Sequence, residues 1–247
     1  MAQAADCTLE ELLAILMSRE VRDFETSACG ALSFIPAAGL LLAEATHAPH
    51  GRIIILDSPA YYPFVSPKDF HYLAQRGQLD LFFISAIEID REANFNLHLI
   101  GDPDAPKVRM GGQFGTGLLY YAVPRIIIFR TKHDRRTFVE KVSFVSGAAT
   151  SPEGMTRRTR GVKVMTPLAI LELDQQTRLL ELVSVHPGHT MDEVQANTGF
   201  DLQAGKEVQT TLSVTEEELT TLRTVVKQRM IETDTYADLA RSSIREP

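Results

Sequence analysis

Apolar residues recur at helical spacing near the start of the chain. Thr8 and Glu11 have the form of a capping box, and one helical face collects Leu9, Leu12, Leu13, Leu16 and Met17. The pattern predicts a helix that begins after Thr8. Helices are also predicted at 33–45, 190–198 and 215–229, and Thr190 with Glu193 forms a second capping box at the start of 190–198.

Continuous apolar runs predict the strands. The run Arg52–Leu56 lacks polar alternation, which is typical of a strand buried on both faces of a parallel sheet. The remaining strands are predicted at 79–89, 125–129, 162–165, 169–173 and 178–185, the last two as a hairpin. Helices that alternate with strands indicate an α/β fold, with a layered open sheet and flanking helices.

The length of the chain is sufficient to bury the core of one large domain or of two small ones, and one domain is the simpler expectation. A single domain over 1–247 is predicted, with a surface loop at 146–160 and a polar tail at about 235–247 that frays or wraps a partner. The formal net charge of −7 argues against a general nucleic-acid binder, because neutralising phosphates requires an excess of Lys and Arg on one face. Local basic segments at 107–109, 132–136 and 157–163 are either anion contacts or solvated loops.

Cysteine usage and the distribution of apolar residues indicate a cytoplasmic protein. Cys7 and Cys29 do not define a disulfide framework in 247 residues, which favours a reducing compartment. The most apolar stretch, 29–45, contains Pro36 and Gly39 and lacks a basic leader, so it is predicted to be a buried helix rather than a signal or a membrane span. No metal site is predicted, because His and Cys lack ligand spacing.

A block of short motifs in the middle of the chain carries a resemblance to a known family. Its parts are Ile84–Asp90, Asn94-Phe95-Asn96, Ile100-Gly101-Asp102 and Pro106-Lys107-Val108-Arg109. The block resembles the β subunits of family I CoA-transferases, such as glutaconate CoA-transferase, in which a strand ending in Gln-x-Asp precedes Gly-Asn-x-Asn, Ile-Gly-Asp and Pro-Lys-x-Arg. The resemblance continues in register through 111–117, 135–142, 186–188 and 197–200, and it covers about residues 10–205.

The resemblance implies the open α/β fold of that family, which is NagB/RpiA-like, and an active site shared with an α-type partner subunit in an α2β2 assembly. The expected substrate is a coenzyme A thioester, with no tightly bound cofactor. Aromatic residues in a loop-like segment suit an interface or a pocket, or equally the core: Tyr61, Tyr62, Phe64, Phe70 and Tyr72.

The position of the family's catalytic glutamate is occupied by an aspartate. In the transferases that glutamate follows an apolar strand and attacks the thioester. The corresponding stretch here is Ile54-Ile55-Leu56-Asp57-Ser58-Pro59, so the catalytic candidates are Asp57 and Ser58. An aspartate is one methylene shorter, and a misplacement of about 1 Å costs on the order of a hundredfold in rate. Asp57 is therefore a nucleophile, a general base, an orienting group or an ordinary turn residue.

Further departures fall on the candidate substrate-binding or CoA-binding residues. The family has a Gly-Ser-Gly-Gly-like loop whose N–H groups stabilise an oxyanion. The loop here contains Gly111, Gly112, Gln113, Phe114 and Gly115, with Phe114 at a glycine position and no clear helix after it. Glu88 replaces a glutamine, and Ala93 replaces a glycine before Asn94. Glu88 and Asn94 complete the candidates, with a structural turn as the alternative for Asn94.

Three functions are compatible with these residues. The departures resemble a divergent branch of the family that lacks the glutamate, whose reactions include hydrolytic opening of a carbon ring in steroid breakdown and decarboxylation of a methylglutaconyl-CoA. The favoured hypothesis is such a hydrolase or decarboxylase, with the main acid or base supplied by the partner. The alternatives are a true CoA-transferase that uses Asp57 as the nucleophile and a non-catalytic scaffold subunit.

Overall fold

The computed structural model describes residues 7–112 and 114–247, which form two compact units. Unit 1 comprises the described residues as far as Leu73, together with Gln78–Phe83 and Leu212–Pro247. Unit 2 comprises Ala74–Gly77 and Ile84–Thr211. The single domain over 1–247 stays a prediction.

Helices and strands alternate through most of the chain, as the sequence pattern predicts. In the described residues the helices are α1 (Leu9–Ser18), α2 (Phe34–Ala45), α3 (Pro67–Gln75), α4 (Thr116–Ala122), α5 (Met191–Ala196), α6 (Glu216–Thr221), α7 (Lys227–Glu232) and α8 (Ala237–Ser243), with a π-helical segment at Leu222–Val226. The strands are β1 (Thr26–Cys29), β2 (Arg52–Ile55), β3 (Leu81–Ser85), β4 (Glu88–Ile89), β5 (Phe95–Asn96), β6 (Leu99–Gly101), β7 (Pro106–Arg109), β8 (Arg125–Phe129), β9 (Gly161–Met165), β10 (Ala169–Leu173), β11 (Leu180–Val185) and β12 (Gln203–Thr210).

Unit 1 is built on three parallel strands in the order β3-β1-β2. Ala28 in the central strand pairs with Ile54 on one side and with Phe82 on the other, and all three side chains are buried. This burial explains the continuous apolar run of β2. Because the strands are parallel, their carboxyl ends share one edge of the sheet, and the segments that follow β1 and β2 meet at that edge.

Helices α1 and α2 pack closely against each other in unit 1. The predicted capping box is present: Thr8 Oγ1 accepts the Glu11 N–H at 3.1 Å, and Glu11 Oε2 accepts the Thr8 N–H at 2.9 Å. Gly39 permits the close approach of the helices, since a Cβ atom at that position would lie 2.7 Å from the Ala14 carbonyl oxygen. The buried Glu11 carboxylate also pairs with Arg223 Nε at 2.9 Å, which joins α1 to the π-helical segment.

Unit 2 contains a mixed sheet in the order β8-β9-β10-β11-β12. The pairs β8-β9 and β11-β12 are parallel, and β9-β10 and β10-β11 are antiparallel. Two short antiparallel pairs, β4-β5 and β6-β7, precede this sheet in the chain. A cluster of buried apolar side chains packs beside β10 and β11 and consists of Leu168, Ala169, Leu182, Val185 and Val194.

Most of the predicted elements are confirmed. The predicted helices correspond to α1, α2, α5 and α6 with α7, the run Arg52–Leu56 to β2, and the predicted hairpin to β10 and β11. The single strand predicted over 79–89 was wrong, because β3 ends at Ser85 and β4 begins only at Glu88. Segment 146–160 contains neither helix nor strand, as predicted.

Helix α3 and the C-terminal tail differ from the predictions. Segment 67–75 is helical, although no helix was predicted there. The local signal for a helix start is Ser66 before Pro67. The Ser66 N–H donates to Asp69 Oδ2 at 3.2 Å. Phe70 of α3 is fully buried, so part of the aromatic segment packs in the core. The tail forms α8 instead of fraying: Ala237, Ala240 and Ile244 recur at helical spacing and are buried.

Two buried histidines belong to a polar network in unit 2. His133 Nδ1 lies 2.9 Å from Thr166 Oγ1, and its Nε2 lies 3.0 Å from Thr198 Oγ1. His186 Nδ1 lies 2.8 Å from Thr211 Oγ1. Burial lowers the pKa of His133 to about 4 and also lowers the pKa of His186. Both imidazoles are therefore neutral in the folded protein at pH 7 and stabilise the fold through packing and hydrogen bonds.

Acid should destabilise the protein through these histidines. A histidine whose folded pKa is depressed contributes stability that is present above its unfolded pKa of 6.5 and is lost as the pH falls from 6.5 towards 4. We expect His133 alone to contribute a slope of about 1.4 kcal/mol per pH unit in that window. His133→Gln should flatten the decline in unfolding free energy measured with urea between pH 7 and about 4.5. Equal slopes in wild type and His133→Gln would contradict this assignment.

Candidate functional site

Asp57 lies just beyond the carboxyl end of β2. Strand β2 ends at Ile55, and the Ser58 N–H donates to the Ile55 carbonyl at 3.1 Å, which turns the chain sharply. The Asp57 side chain is exposed, whereas Ser58 is buried. The carboxylate therefore stands at the edge of the sheet where open α/β proteins usually bind ligands.

Both oxygens of the Asp57 carboxylate accept hydrogen bonds from unit 1. Oδ2 accepts the Leu32 N–H at 2.9 Å, and Oδ1 accepts the hydroxyl of Tyr236. The Tyr236 oxygen in turn accepts the Ser33 N–H at 2.8 Å. One carboxylate thus connects the segment after β1, the segment after β2 and the C-terminal tail.

The two donors to Asp57 come from strained backbone positions. Leu32 has φ 57° and Tyr236 has φ 55°, both in the left-handed region that residues other than glycine rarely occupy. Such conformations cost of order 1–3 kcal/mol each and cluster at functional sites. Leu32 is also 90% exposed, so burial of its side chain does not offset the cost. This combination marks the surroundings of Asp57 as a candidate functional site.

Burial controls the charge of the groups around Asp57. Partial burial raises the pKa of the Tyr236 phenol well above its ordinary value, and the hydrogen bond to Asp57 raises it further. Burial also raises the pKa of the Cys29 thiol, and the Asp57 charge adds to that shift. At neutral pH the phenol therefore stays a hydrogen-bond donor, and the thiol stays protonated and unreactive.

Ser58 is held by the tail rather than presented to solvent. Its Oγ lies 2.6 Å from Thr235 Oγ1, and Thr235 Oγ1 lies 2.9 Å from Thr233 Oγ1. Ser58 and Thr235 are each 1% exposed. The consecutive residues Thr235 and Tyr236 therefore contact the consecutive candidates Ser58 and Asp57. The sequence pattern did not single out these tail residues, because their polar character indicated a solvated tail.

Glu88 and Asn94 lie in unit 2 and are fully engaged with neighbouring residues. Glu88 is 5% exposed, and its carboxylate accepts from Asn96 Nδ2 at 2.7 Å and from the N–H and hydroxyl of Ser143 at 2.7 and 2.9 Å. Asn94 donates from its backbone and from Nδ2 to Asp90, and its Oδ1 accepts the Ala149 N–H at 3.2 Å. These contacts organise turns, which is the alternative stated for Asn94.

The glycine loop of unit 2 is exposed and leads directly into α4. This corrects the expectation that no clear helix follows the loop. Gly112 has φ 104° and Gly115, which precedes the helix, has φ 70°; a Cβ atom at Gly111 or Gly112 would meet no atom within 4 Å. Phe114 is 58% exposed with φ 44°, so a benzyl side chain sits on a backbone conformation that suits glycine. Gln113 lies outside the described residues.

Neither a metal centre nor a membrane span is found in residues 7–112 and 114–247. Within these ranges no group of three or more His, Cys, Asp or Glu side chains is arranged to hold a metal ion. None of the helices there has the length and apolar character needed to cross a bilayer.

Comparison with known protein families identifies the family to which the chain belongs. The family model described as coenzyme A transferase matches residues 64–197, more than half of the sequence. The chain belongs to this family. The match includes Glu88, Asn94 and the glycine loop, while Asp57 and Tyr236 lie outside it.

Three curated proteins illustrate the range of CoA-transferase relatives. The B-type subunit of the 3-oxoadipate CoA-transferase of Pseudomonas knackmussii is 33% identical over 160 residues, 62% of this chain and 61% of that protein. The chain therefore spans only about three fifths of that relative. The B-type subunit of the glutaconate CoA-transferase of Acidaminococcus fermentans is 27% identical, with 85% and 89% covered. The cholesterol ring-cleaving hydrolase IpdB subunit of Rhodococcus jostii is 26% identical, with 81% and 85% covered.

Solved structures confirm the predicted fold class. The structure of Rhodococcus jostii RHA1 IpdAB matches with a TM-score of 0.79 at 22% identity and covers 97% of this chain and 99% of that chain. The decarboxylase AibA/AibB matches with a TM-score of 0.77 at 23% identity, with 88% and 94% covered. At these identities the matches establish the α/β fold of the CoA-transferase family, with helices flanking the sheet.

The contacts of Glu88 predict a stabilising role. Glu88→Gln places an amide N–H₂ against donors from Asn96 and Ser143, so we expect a loss of about 1–3 kcal/mol in unfolding free energy. Glu153→Gln, at an exposed position, is the matched control and should change stability little. If Glu88→Gln leaves stability unchanged but weakens CoA binding, Glu88 is a ligand contact instead.

Proposed function

We propose that this chain is the β-type subunit of a heteromeric CoA-transferase-like enzyme that acts on an acyl-CoA thioester as a divergent hydrolase or decarboxylase. It is active only with an α-type partner, in a cytoplasmic α2β2 assembly. The observation that supports the divergent reaction most directly is the double hydrogen bonding of the Asp57 carboxylate by Leu32 and Tyr236.

Hydrogen bonds to both oxygens of a carboxylate lower its reactivity as a nucleophile and fix its orientation. A nucleophilic carboxylate must direct a lone pair at the thioester carbon and share its negative charge with the new bond. Donors on both oxygens stabilise that charge on the carboxylate and fix its orientation. A carboxylate on a short side chain with a fixed orientation suits the role of a general base, or of a group that positions water or substrate. The geometry of Asp57 therefore favours these roles over covalent catalysis.

The names of the relatives support the substrate class more firmly than the reaction. Two are CoA-transferase subunits and one is a ring-cleaving hydrolase subunit, and one structural neighbour is a decarboxylase. The proteins named as subunits also support dependence on a partner chain. Phe114 in the exposed glycine loop adds to the case for divergence, because it replaces the bare backbone that the transferases present to the thioester.

A true CoA-transferase is the second candidate. Asp57 is exposed at the carboxyl end of β2, and each carboxylate oxygen retains a second acceptor site. In that reaction the Asp57 oxygen attacks an acyl-CoA to give an enzyme-acyl anhydride and free CoA thiolate, and the thiolate then forms an enzyme-CoA thioester with release of the carboxylic acid. A scaffold subunit is the third candidate, in which Asp57 only ties the tail to the sheet.

Trapping an enzyme-CoA thioester separates the first two candidates. The complex with its α-type partner is incubated with acyl-CoA and treated with hydroxylamine or borohydride, and the peptide that contains Asp57 is analysed by mass spectrometry. We expect no modification at Asp57 and turnover without an acceptor acid. A label at Asp57 that is absent from Asp57→Asn would establish the transferase instead.

Removal of the Tyr236 hydroxyl tests whether Asp57 acts through its fixed orientation. Tyr236→Phe keeps the ring but deletes one donor, so we expect turnover by the complex to fall by about ten- to a hundredfold because the carboxylate is no longer held in place. Tyr62→Phe removes a hydroxyl elsewhere in unit 1 and should leave turnover within about twofold of wild type. Full activity in both Tyr236→Phe and Asp57→Asn would favour the scaffold.

A further inference from the structure

Leu32 is an exposed leucine on a backbone conformation that suits glycine. Its φ of 57° lies in the left-handed region, and the residue is 90% exposed. Glycine adopts this conformation without the steric cost of a Cβ atom. The leucine side chain therefore adds strain to the turn after β1 and gains almost no packing within the chain. Such a side chain is available to contact a ligand or a partner.

The backbone around Leu32 is fixed by contacts within unit 1. The Leu32 N–H donates to Asp57 Oδ2 at 2.9 Å, and the Ser33 N–H donates to the Tyr236 oxygen at 2.8 Å. Phe34, the first residue of α2, is buried and meets the Tyr236 ring edge-on at a centroid distance of 6.3 Å. These contacts hold the Leu32 Cα beside the Asp57 carboxylate.

The segments around Asp57 carry no positive charge. Three segments of unit 1 meet at Asp57 and Ser58 through hydrogen bonds: 30–33 after β1, 56–60 after β2 and 233–236 before α8. None of them contains Lys, Arg or His, whereas Asp57 and Asp234 are acidic. Apart from Asp57, the exposed residues of the first two segments are all apolar: Ala31, Leu32, Pro59 and Ala60. These segments therefore offer a substrate carboxylate negative charges and no counter-ion.

We infer that the Leu32 side chain contacts the acyl group of the bound thioester and selects an apolar acyl group over one that ends in a carboxylate. An acyl group that reaches Asp57 also reaches Leu32, because the Leu32 amide nitrogen is hydrogen-bonded to that carboxylate. Contact with a hydrocarbon chain removes the leucine from water and offsets the strain of its backbone. Leu32 is thus a specificity-determining residue. The inference rests on the proposed function, which puts a thioester at Asp57.

Binding of thioether analogues of acyl-CoA to the complex with the α-type partner tests this inference by titration calorimetry. The probes are S-methyl-CoA, S-hexyl-CoA and S-(5-carboxypentyl)-CoA, and a thioether binds whichever reaction the complex catalyses. We expect wild type to bind S-hexyl-CoA more tightly than either of the others. Leu32→Gly keeps the backbone N–H and suits a φ of 57°, so the ratio of the S-hexyl-CoA affinity to the S-methyl-CoA affinity should fall by about tenfold.

Two further variants show whether the effect belongs to the apolar side chain at this position. Asparagine tolerates the left-handed region but is polar, so Leu32→Asn should lose the preference for S-hexyl-CoA as Leu32→Gly does. Leu212 of unit 1 is 78% exposed, and its carbonyl accepts Arg19 Nη1 at 2.8 Å at the end of α1. Leu212→Gly makes the same change at this second exposed leucine and should keep the wild-type ratio within about twofold.

The outcomes separate this inference from the proposed function. A wild-type ratio in both Leu32 variants would overturn the role of Leu32, as would tighter binding of S-(5-carboxypentyl)-CoA than of S-hexyl-CoA by wild type, and the proposed function would stand in either case. Failure of both variants to assemble with the partner, measured by size-exclusion chromatography, would make Leu32 a subunit contact and also overturn the inference. A wild-type complex that binds none of the analogues would contradict the proposed function itself.

Discussion

The hydrogen bonds from Leu32 and Tyr236 to the Asp57 carboxylate are the interaction on which the candidate site depends. They join segments that are far apart in the sequence: the turn after β1, the turn after β2 and the tail before α8. A carboxylate on an exposed turn would otherwise sample many orientations and lose the precision that catalysis requires. In this chain the orientation comes from one backbone N–H and one phenol that stays protonated.

Part of the folding free energy is spent on this arrangement. Left-handed conformations at Leu32 and Tyr236 together cost a few kcal/mol, a large share of the roughly 5–15 kcal/mol typical of a domain. Both apolar and polar contacts hold the tail in place. Ala237, Ala240 and Ile244 are buried, and Ser58 contacts the buried Thr235. Packing of the residues next to Tyr236 thus helps to hold its left-handed backbone conformation.

The sequence was sufficient to predict the elements that have strong local signals. Thr8 with Glu11 defined the start of α1, and the run Arg52–Leu56 defined β2 and with it the position of Asp57. Short elements of mixed composition were not predicted, and β1, with four residues, is an example. The hydrogen-bond partners of Asp57 were not predicted either, because a contact between positions 57 and 236 leaves no local sequence pattern. Motif resemblance identified the family, while the contacts of Glu88 became evident only from coordinates.

We propose that Asp57 faces the bound thioester at an interface with a second polypeptide. The most direct test is an experimental structure of the assembled complex with a non-hydrolysable thioether analogue of an acyl-CoA. We expect the Asp57 carboxylate within hydrogen-bonding distance of the acyl group or of a water beside it, still bonded to Tyr236, with the partner subunit completing the pocket. An analogue bound away from Asp57, or a chain that binds and turns over acyl-CoA alone, would contradict this role for Asp57.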